Sequence, residues 1–148
     1  MIARLLLAVS ATVAGGLLAA RRLLRSRADD QLDEIDLAVV ATTVRFRTRA
    51  RPFLGGTVLV VAGTAELDLR RAHPAPTGIE IAITAVVGHL RLVIPPEWNL
   101  EVRVNRSLSL LQHQHAPAHP DAPWLRLIGR SWLARVEVVT RSAPVGVA

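Results

Sequence analysis

Between Val60 and Val104 the chain alternates apolar and polar residues in four short runs, Ala65–Leu69, Ile79–Thr84, His89–Ile94 and Leu100–Val104. Gly, Pro, Asn and Asp punctuate them, the pattern of half-buried β-strands joined by short turns. Four phrases lie on one another: Val61-Ala62-Gly63-Thr64-Ala65-Glu66-Leu67, Val86-Val87-Gly88-His89-Leu90-Arg91-Leu92, Ser107-Leu108-Ser109-Leu110-Leu111 and Trp132-Leu133-Ala134-Arg135-Val136-Glu137-Val138. Their third positions, 63, 88, 109 and 134, are spaced by 25, 21 and 25 residues. Such a period predicts an all-β, β-solenoid-like array, each repeat burying its apolar face against its neighbours. A Gly suits the corner because no Cβ obstructs a sharp turn. A two-sheet β-sandwich of hairpins carries the same alternation and stays open as the alternative.

The remaining strands follow from the same alternation: Leu37–Ala41, Val44–Arg51, Thr57–Ala62, Trp124–Ile128 and Arg135–Thr140. The stretch Arg70–Gly78 reads as a loop set by Pro74, Pro76 and Gly78. Pro95-Pro96 ends a strand, and Trp98 is expected to cap one end of the core. With two Phe, three Trp and no Tyr among 148 residues, that core must be aliphatic. The absence of Cys excludes disulfides and thiolate metal sites.

Basicity belongs to one end. Residues 1–27 hold Arg4, Arg21, Arg22, Arg25 and Arg27 and no acid, and the other 13 Arg nearly balance 12 acidic residues. That distribution argues against a nucleic-acid partner, and the few aromatics make no stacking platform. Leu5–Ala20 is a charge-free run of 16 residues. A helix from Ile2 to Leu24 would reach roughly 34 Å, enough to cross a bilayer with its arginines snorkelling. The expected organisation is a membrane anchor over 1–27, an acidic linker over 28–36, a β-rich domain over 37–141 and a tail over 142–148. A cleaved signal peptide and a core helix compete for the first segment. Arg21, Arg22, Arg25 and Arg27 follow the apolar run, so the positive-inside bias predicts a single-pass protein whose C-terminal domain is cytoplasmic.

Val44–Arg51 alternates strictly, which sends Arg45, Arg47, Arg49 and Arg51 to one side of an extended chain. This positive stripe is the candidate interaction surface, suited to anionic lipid headgroups or an acidic partner. The competing reading is compensation by Glu66 and Asp68 on a neighbouring strand.

No catalytic site, cofactor or metal centre is expected. His113, His115 and His119 have no second-shell partner in the sequence and read as a solvated loop within Ser107–Pro123. Asp33, Glu34 and Asp36 lack a cation-cage spacing. No phosphate loop, nucleophile elbow, H-E-x-x-H or dinucleotide fingerprint occurs, which argues against an enzyme.

The phrases AGTAELDLRRA, TGIEIAITAVVGHLRLVIPPEWNLEVRV and DAPWLRLIGRSWLARVEV, with the earlier FLGG, resemble the C-terminal domain of LiaF-like proteins. That family comprises the cell-wall-active antibiotic response proteins, and its fold is called a toastrack. The resemblance covers roughly residues 33–140, most strongly Leu90–Val104 and Asp121-Ala122-Pro123. The family's repeated G-G-V becomes Gly63-Thr64-Ala65, Gly88-His89-Leu90, Ser109-Leu110-Leu111 and Ala134-Arg135-Val136 here, and only Gly55-Gly56 keeps its glycine pair. The resemblance implies a single-stranded β-helix and a non-catalytic, membrane-proximal role in envelope-stress sensing, commonly by restraining a sensor histidine kinase. Solenoid ends that stack into homo-oligomers form the second functional expectation.

Overall fold

The computed structural model describes residues 33–107, 110–114 and 119–143, and the regular elements among them are β-strands. The apolar segment with Arg21, Arg22, Arg25 and Arg27, and His115, lie outside the described residues. Among those described, no helix is long and apolar enough to cross a membrane.

The strands are β1 (Glu34–Val40), β2 (Thr43–Arg47), β3 (Gly55–Val61), β4 (Thr64–Asp68), β5 (Ile79–Ile94), β6 (Asn99–Ser107), β7 (Leu110–Gln114) and β8 (Trp124–Thr140). Every ladder between them is parallel. Hairpins would pair antiparallel, so the sandwich alternative falls and a β-solenoid of about four turns stands in its place. One wall stacks as β1-β3-β5-β8-β6 and the other as β2-β4-β5-β8-β7.

That order departs from simple succession along the chain. The repeat formed by β6 and β7 takes the outer position, and β8 then enters between it and β5. Ile79 of β5 therefore pairs with Leu125, whereas Leu100 of β6 pairs with that same Leu125 from the other side. The arrangement suits the sequences. Among the inward residues of β8, Leu125, Leu127, Val136 and Val138 are all buried, while β6 ends in the exposed Asn105, Arg106 and Ser107 and tolerates an edge.

The expected strands Ile79–Thr84 and His89–Ile94 are one bent strand, and so are Trp124–Ile128 and Arg135–Thr140. The bend sits on a single residue with left-handed backbone: φ is 49° at Val87 and 48° at Leu133. Ala41 and Ala62 repeat it at 49° and 51° in the turns before. The ladder registers place these four residues in one column. Gly63 and Gly88 follow the bend rather than make it. A Cβ on Gly88 would stand 2.5 Å from the Gly63 carbonyl oxygen, so this position is glycine because backbones meet there.

Inside, side chains stack in register as aliphatic columns, among them Leu37-Val58-Ile83 on one wall and Phe46-Leu67-Leu92-Val138 on the other. All seven are buried, each contributing about 1.5–3 kcal/mol relative to exposure. Trp98, 3% exposed, packs in the same core from the β5–β6 connection. Two expectations need correction. The strand expected over Val44–Arg51 stops at Arg47, because Thr48 Oγ1 accepts a hydrogen bond from the Ala50 N–H and diverts the backbone. The loop expected over Ser107–Pro123 contains β7, because Leu110 and Leu111 continue the parallel register against Arg135 and Val136.

Backbone contact makes Gly129 the more sensitive test of this stacking. Its φ is 134°, and a Cβ would lie 1.9 Å from the Ile83 carbonyl oxygen. Gly129→Ala should therefore cost more than about 4 kcal/mol and abolish the cooperative melt. Val87→Asn, at an exposed corner where Asn tolerates the left-handed region, should instead stabilise by about 1 kcal/mol in the same calorimetric measurement.

Candidate interaction surface

The β2 strand is an edge, paired with β4 alone among the described strands. Phe46, Thr48 and Ala50 turn inward and are buried; Arg45, Arg47, Arg49 and Arg51 turn outward and are exposed. The alternation of buried and exposed residues thus runs past the end of the strand, with Arg45 and Arg47 on β2 and Arg49 and Arg51 exposed in the segment that follows it. On the same layer β1 presents Glu34 and Asp36, which lie on the strand and not in a linker, exposed on either side of buried Ile35.

Two acids face the stripe from β4. Arg45 pairs in register with Glu66, and Arg47 with Asp68. Only the second register pair closes into an ion pair, Arg47 Nε to Asp68 Oδ2 at 3.6 Å, and the Arg47 side chain remains 78% exposed. Among the described residues Arg45, Arg49 and Arg51 form no ion pair. Glu66 is drawn the other way, to Arg91 Nη1 at 3.9 Å, and Arg91 reaches Glu137 at 4.0 Å. An alternating row Arg45-Glu66-Arg91-Glu137 therefore crosses β2, β4, β5 and β8.

Asp68 is held chiefly by its own strand's continuation. Arg70 donates from Nε to Oδ1 at 2.8 Å and from Nη2 to Oδ2 at 2.7 Å, a two-point grip, and its backbone N–H also donates to Oδ1. These hydrogen bonds lower the Asp68 carboxyl below its ordinary value against the opposing effect of burial, and the charges of Arg70 and Arg47 add to them. Compensation of the stripe is consequently partial: its closest acid is already satisfied. The sequence carries the signal for this tie, since residues two apart on an extended chain share a side, but the loop expected over Arg70–Gly78 conceals it.

A second charged group lies on the other wall. Arg126 Nε donates to Glu101 Oε2 at 3.0 Å and Arg126 Nη1 to Glu80 Oε2 at 3.4 Å, while Arg103 Nε donates to Glu101 Oε1 at 2.6 Å. Hydrogen bonding from Arg126, then from Arg103, holds the Glu101 carboxyl low. Here opposite charges alternate and close on one another.

His119 is exposed with Nδ1 3.5 Å from Asp121 Oδ2, and His113 stands on β7 opposite Val138. Among the described residues no three His, Asp or Glu gather as metal ligands. Several apolar side chains are exposed that the sequence did not single out, Val87, Trp132 and Leu133 at the bend and Leu110 on β7. Val86, Trp132, Arg130, Asn105 and Ser107 border a shallow groove of about 250 Å³ beside the bend. Comparison with protein-family models, curated proteins and solved structures gives no match.

The Asp68–Arg70 grip predicts an acid-dependent stability difference. A carboxyl whose folded pKa is lowered stabilises the fold above its unfolded value and loses that contribution as pH falls through the folded one. Asp68→Asn should therefore be less stable than the natural chain by about 1 kcal/mol at pH 7. In denaturant titrations the gap should close only below the ordinary value of 3.8.

Proposed function

We propose that the protein is a membrane-anchored, non-catalytic interaction module, an accessory regulator in envelope-stress sensing. It is held at the cell membrane by the apolar N-terminal segment as a single span, with the β-solenoid in the cytoplasm. The observation that carries the reading is the partly compensated arginine stripe. Arg45, Arg47, Arg49 and Arg51 are all exposed in an edge layer, and the carboxylate of Asp68 beside Arg47 is held by Arg70.

The placement supports a role close to a bilayer. The stripe belongs to the first layer of the solenoid, whose strand β1 begins at Glu34, a few residues beyond Arg27. An extended residue spans at most about 3.6 Å, so the layer stays near the anionic leaflet that Arg21, Arg22, Arg25 and Arg27 flank. Docking there by electrostatics acts over about 8 Å at physiological salt. The family resemblance of residues 33–140 supports the partner class, a membrane-bound sensor histidine kinase restrained by the module. Nucleic acid is not a partner in this reading, and no cofactor is required.

The full-length chain should fractionate with membranes, deletion of residues 1–27 should release it, and protease added outside intact cells should spare the domain. Recovery of the uncleaved chain in the soluble fraction would overturn the anchor. Residues 33–148, checked for β-structure by circular dichroism, should bind vesicles containing anionic lipid, each arginine contributing about 1 kcal/mol. Arg45→Gln, Arg47→Gln and Arg49→Gln together should weaken that binding at least about tenfold, as should added salt. Indifference to acidic vesicles at low salt would remove the lipid surface from the proposal.

A further inference from the structure

The two ends of the solenoid are unlike. At the first end Ile35, Leu37 and Val39 of β1 and Phe46 of β2 are no more than 7% exposed, and Val44 alone is half-buried. At the far end the inward residues Leu100, Val102, Val104 and Leu111 are only half-buried although they pack on the same core. Leu110 beside them is 58% exposed. Among the described strands β6 and β7 pair with β8 alone, so this layer is the outermost of them at the far end. A stacked array needs its last layer covered, and a sheet edge with apolar residues on it is a template for another strand.

The sequence of β6 says which strand fits. Leu100-Glu101-Val102-Arg103-Val104 is symmetric about Val102 in polarity and antisymmetric in charge. Set antiparallel against itself with Val102 at the centre, it places Leu100 opposite Val104 and Glu101 opposite Arg103, each twice. The Arg103 side chain is 71% exposed and reaches Glu101 of its own chain at 2.6 Å, so a small swing carries it to the Glu101 opposite. The geometry points to an isologous dimer in which β6 pairs antiparallel with β6 of a second copy, centred on Val102.

The alternative of stacking the far end of one copy on the first end of the next is disfavoured on two counts. The ladder registers put Glu34, Gly55, Glu80, Arg126 and Glu101 in one column, so continued stacking sets Glu34 of the next copy against Glu101. The inward residues Ile35, Leu37, Val39 and Phe46 of the first end are also already buried within one chain. A twofold contact consumes the open end of both copies and closes, whereas a head-to-tail contact would propagate into a filament. This inference rests on β6 and is independent of the anchor, the stripe and the envelope-stress reading.

The test uses the full-length chain in mild detergent, its protein mass read by analytical ultracentrifugation. The natural chain should be a dimer at micromolar concentration. Arg103→Glu sets Glu against Glu and should raise the dissociation constant about tenfold or more, and Glu101→Arg sets Arg against Arg with the same result. Mixing the two variants one to one should restore the dimer, an outcome that a loss of folding would not produce. Because the chain has no Cys, Val102→Cys can form only an intermolecular disulfide, and mild oxidation should trap the dimer, while Asp36→Cys on the opposite edge should not. A monomeric natural chain, a mass that climbs past the dimer with concentration, or equal cross-linking at positions 36 and 102 would each overturn the proposal.

Discussion

A strand that lines two walls of one core must change which of its faces points inward at the corner, and the rest of this structure depends on how it does so. On β5 the inward residues before the bend are Ile79, Ile81, Ile83 and Ala85, all odd in number; after it they are Leu90, Leu92 and Ile94, all even. On β1 and β2 the inward set passes from Ile35, Leu37 and Val39 to Phe46, and on β3 and β4 from Val58 and Val60 to Ala65 and Leu67. A period of two admits no such change unless one residue is taken out of the alternation. Ala41, Ala62, Val87 and Leu133 are those residues, each in the left-handed region at a cost of about 1–2 kcal/mol. The cost is offset by the ladder: β5 and β8 pair from Val86↔Trp132 and again from Gly88↔Ala134 without a break in register.

That constraint also explains what could be read from the residues. The period was legible because in-register stacking forces equal spacing: third positions 63, 88 and 134 of the repeated phrases do fall in one column. That period favours the solenoid, which the structure shows, but leaves the sandwich open, since alternation within a strand is blind to the direction of its neighbour. The order of layers was not legible. Leu125 follows Leu100 by 25 residues, the same interval that separates successive layers β3 and β5, and nothing in that spacing says on which side β8 will lie. Each bent strand looked like two because the phase change at Val87 and Leu133 resembles an interruption.

The surface was legible to the same depth. Strict alternation from Val44 to Arg51 predicts which residues are buried and which exposed, and that pattern continues past the end of the strand at Arg47. Compensation could not be fixed that way, because it depends on register and on competitors. Glu66 and Asp68 do stand opposite Arg45 and Arg47, but Arg91 and Arg70 reach them as well. Arg70 holds Asp68 at 2.7 Å against 3.6 Å for Arg47, and the nearer, two-point contact dominates.

Charge therefore collects at the ends of the stack for a reason built into the stacking. Within the array an outward charge has a neighbour on both sides and can alternate with opposite signs, as Glu66, Arg91 and Glu137 do, or Glu80, Arg126 and Glu101. An edge layer has one neighbour. The row that ends in Arg45 leaves a cation with half its partners, and Arg47, Arg49 and Arg51 extend that excess along the same edge. At the opposite edge Glu101 meets Arg103 along the strand as well as Arg126 across it, and over Leu100–Val104 the two charges cancel in a pattern that a second strand can match. One edge is thus built to attract an oppositely charged surface and to repel its own copy, while the other is self-complementary over Leu100–Val104. The two edges solve the exposed-strand problem by different electrostatics, and they select different partners for the same fold.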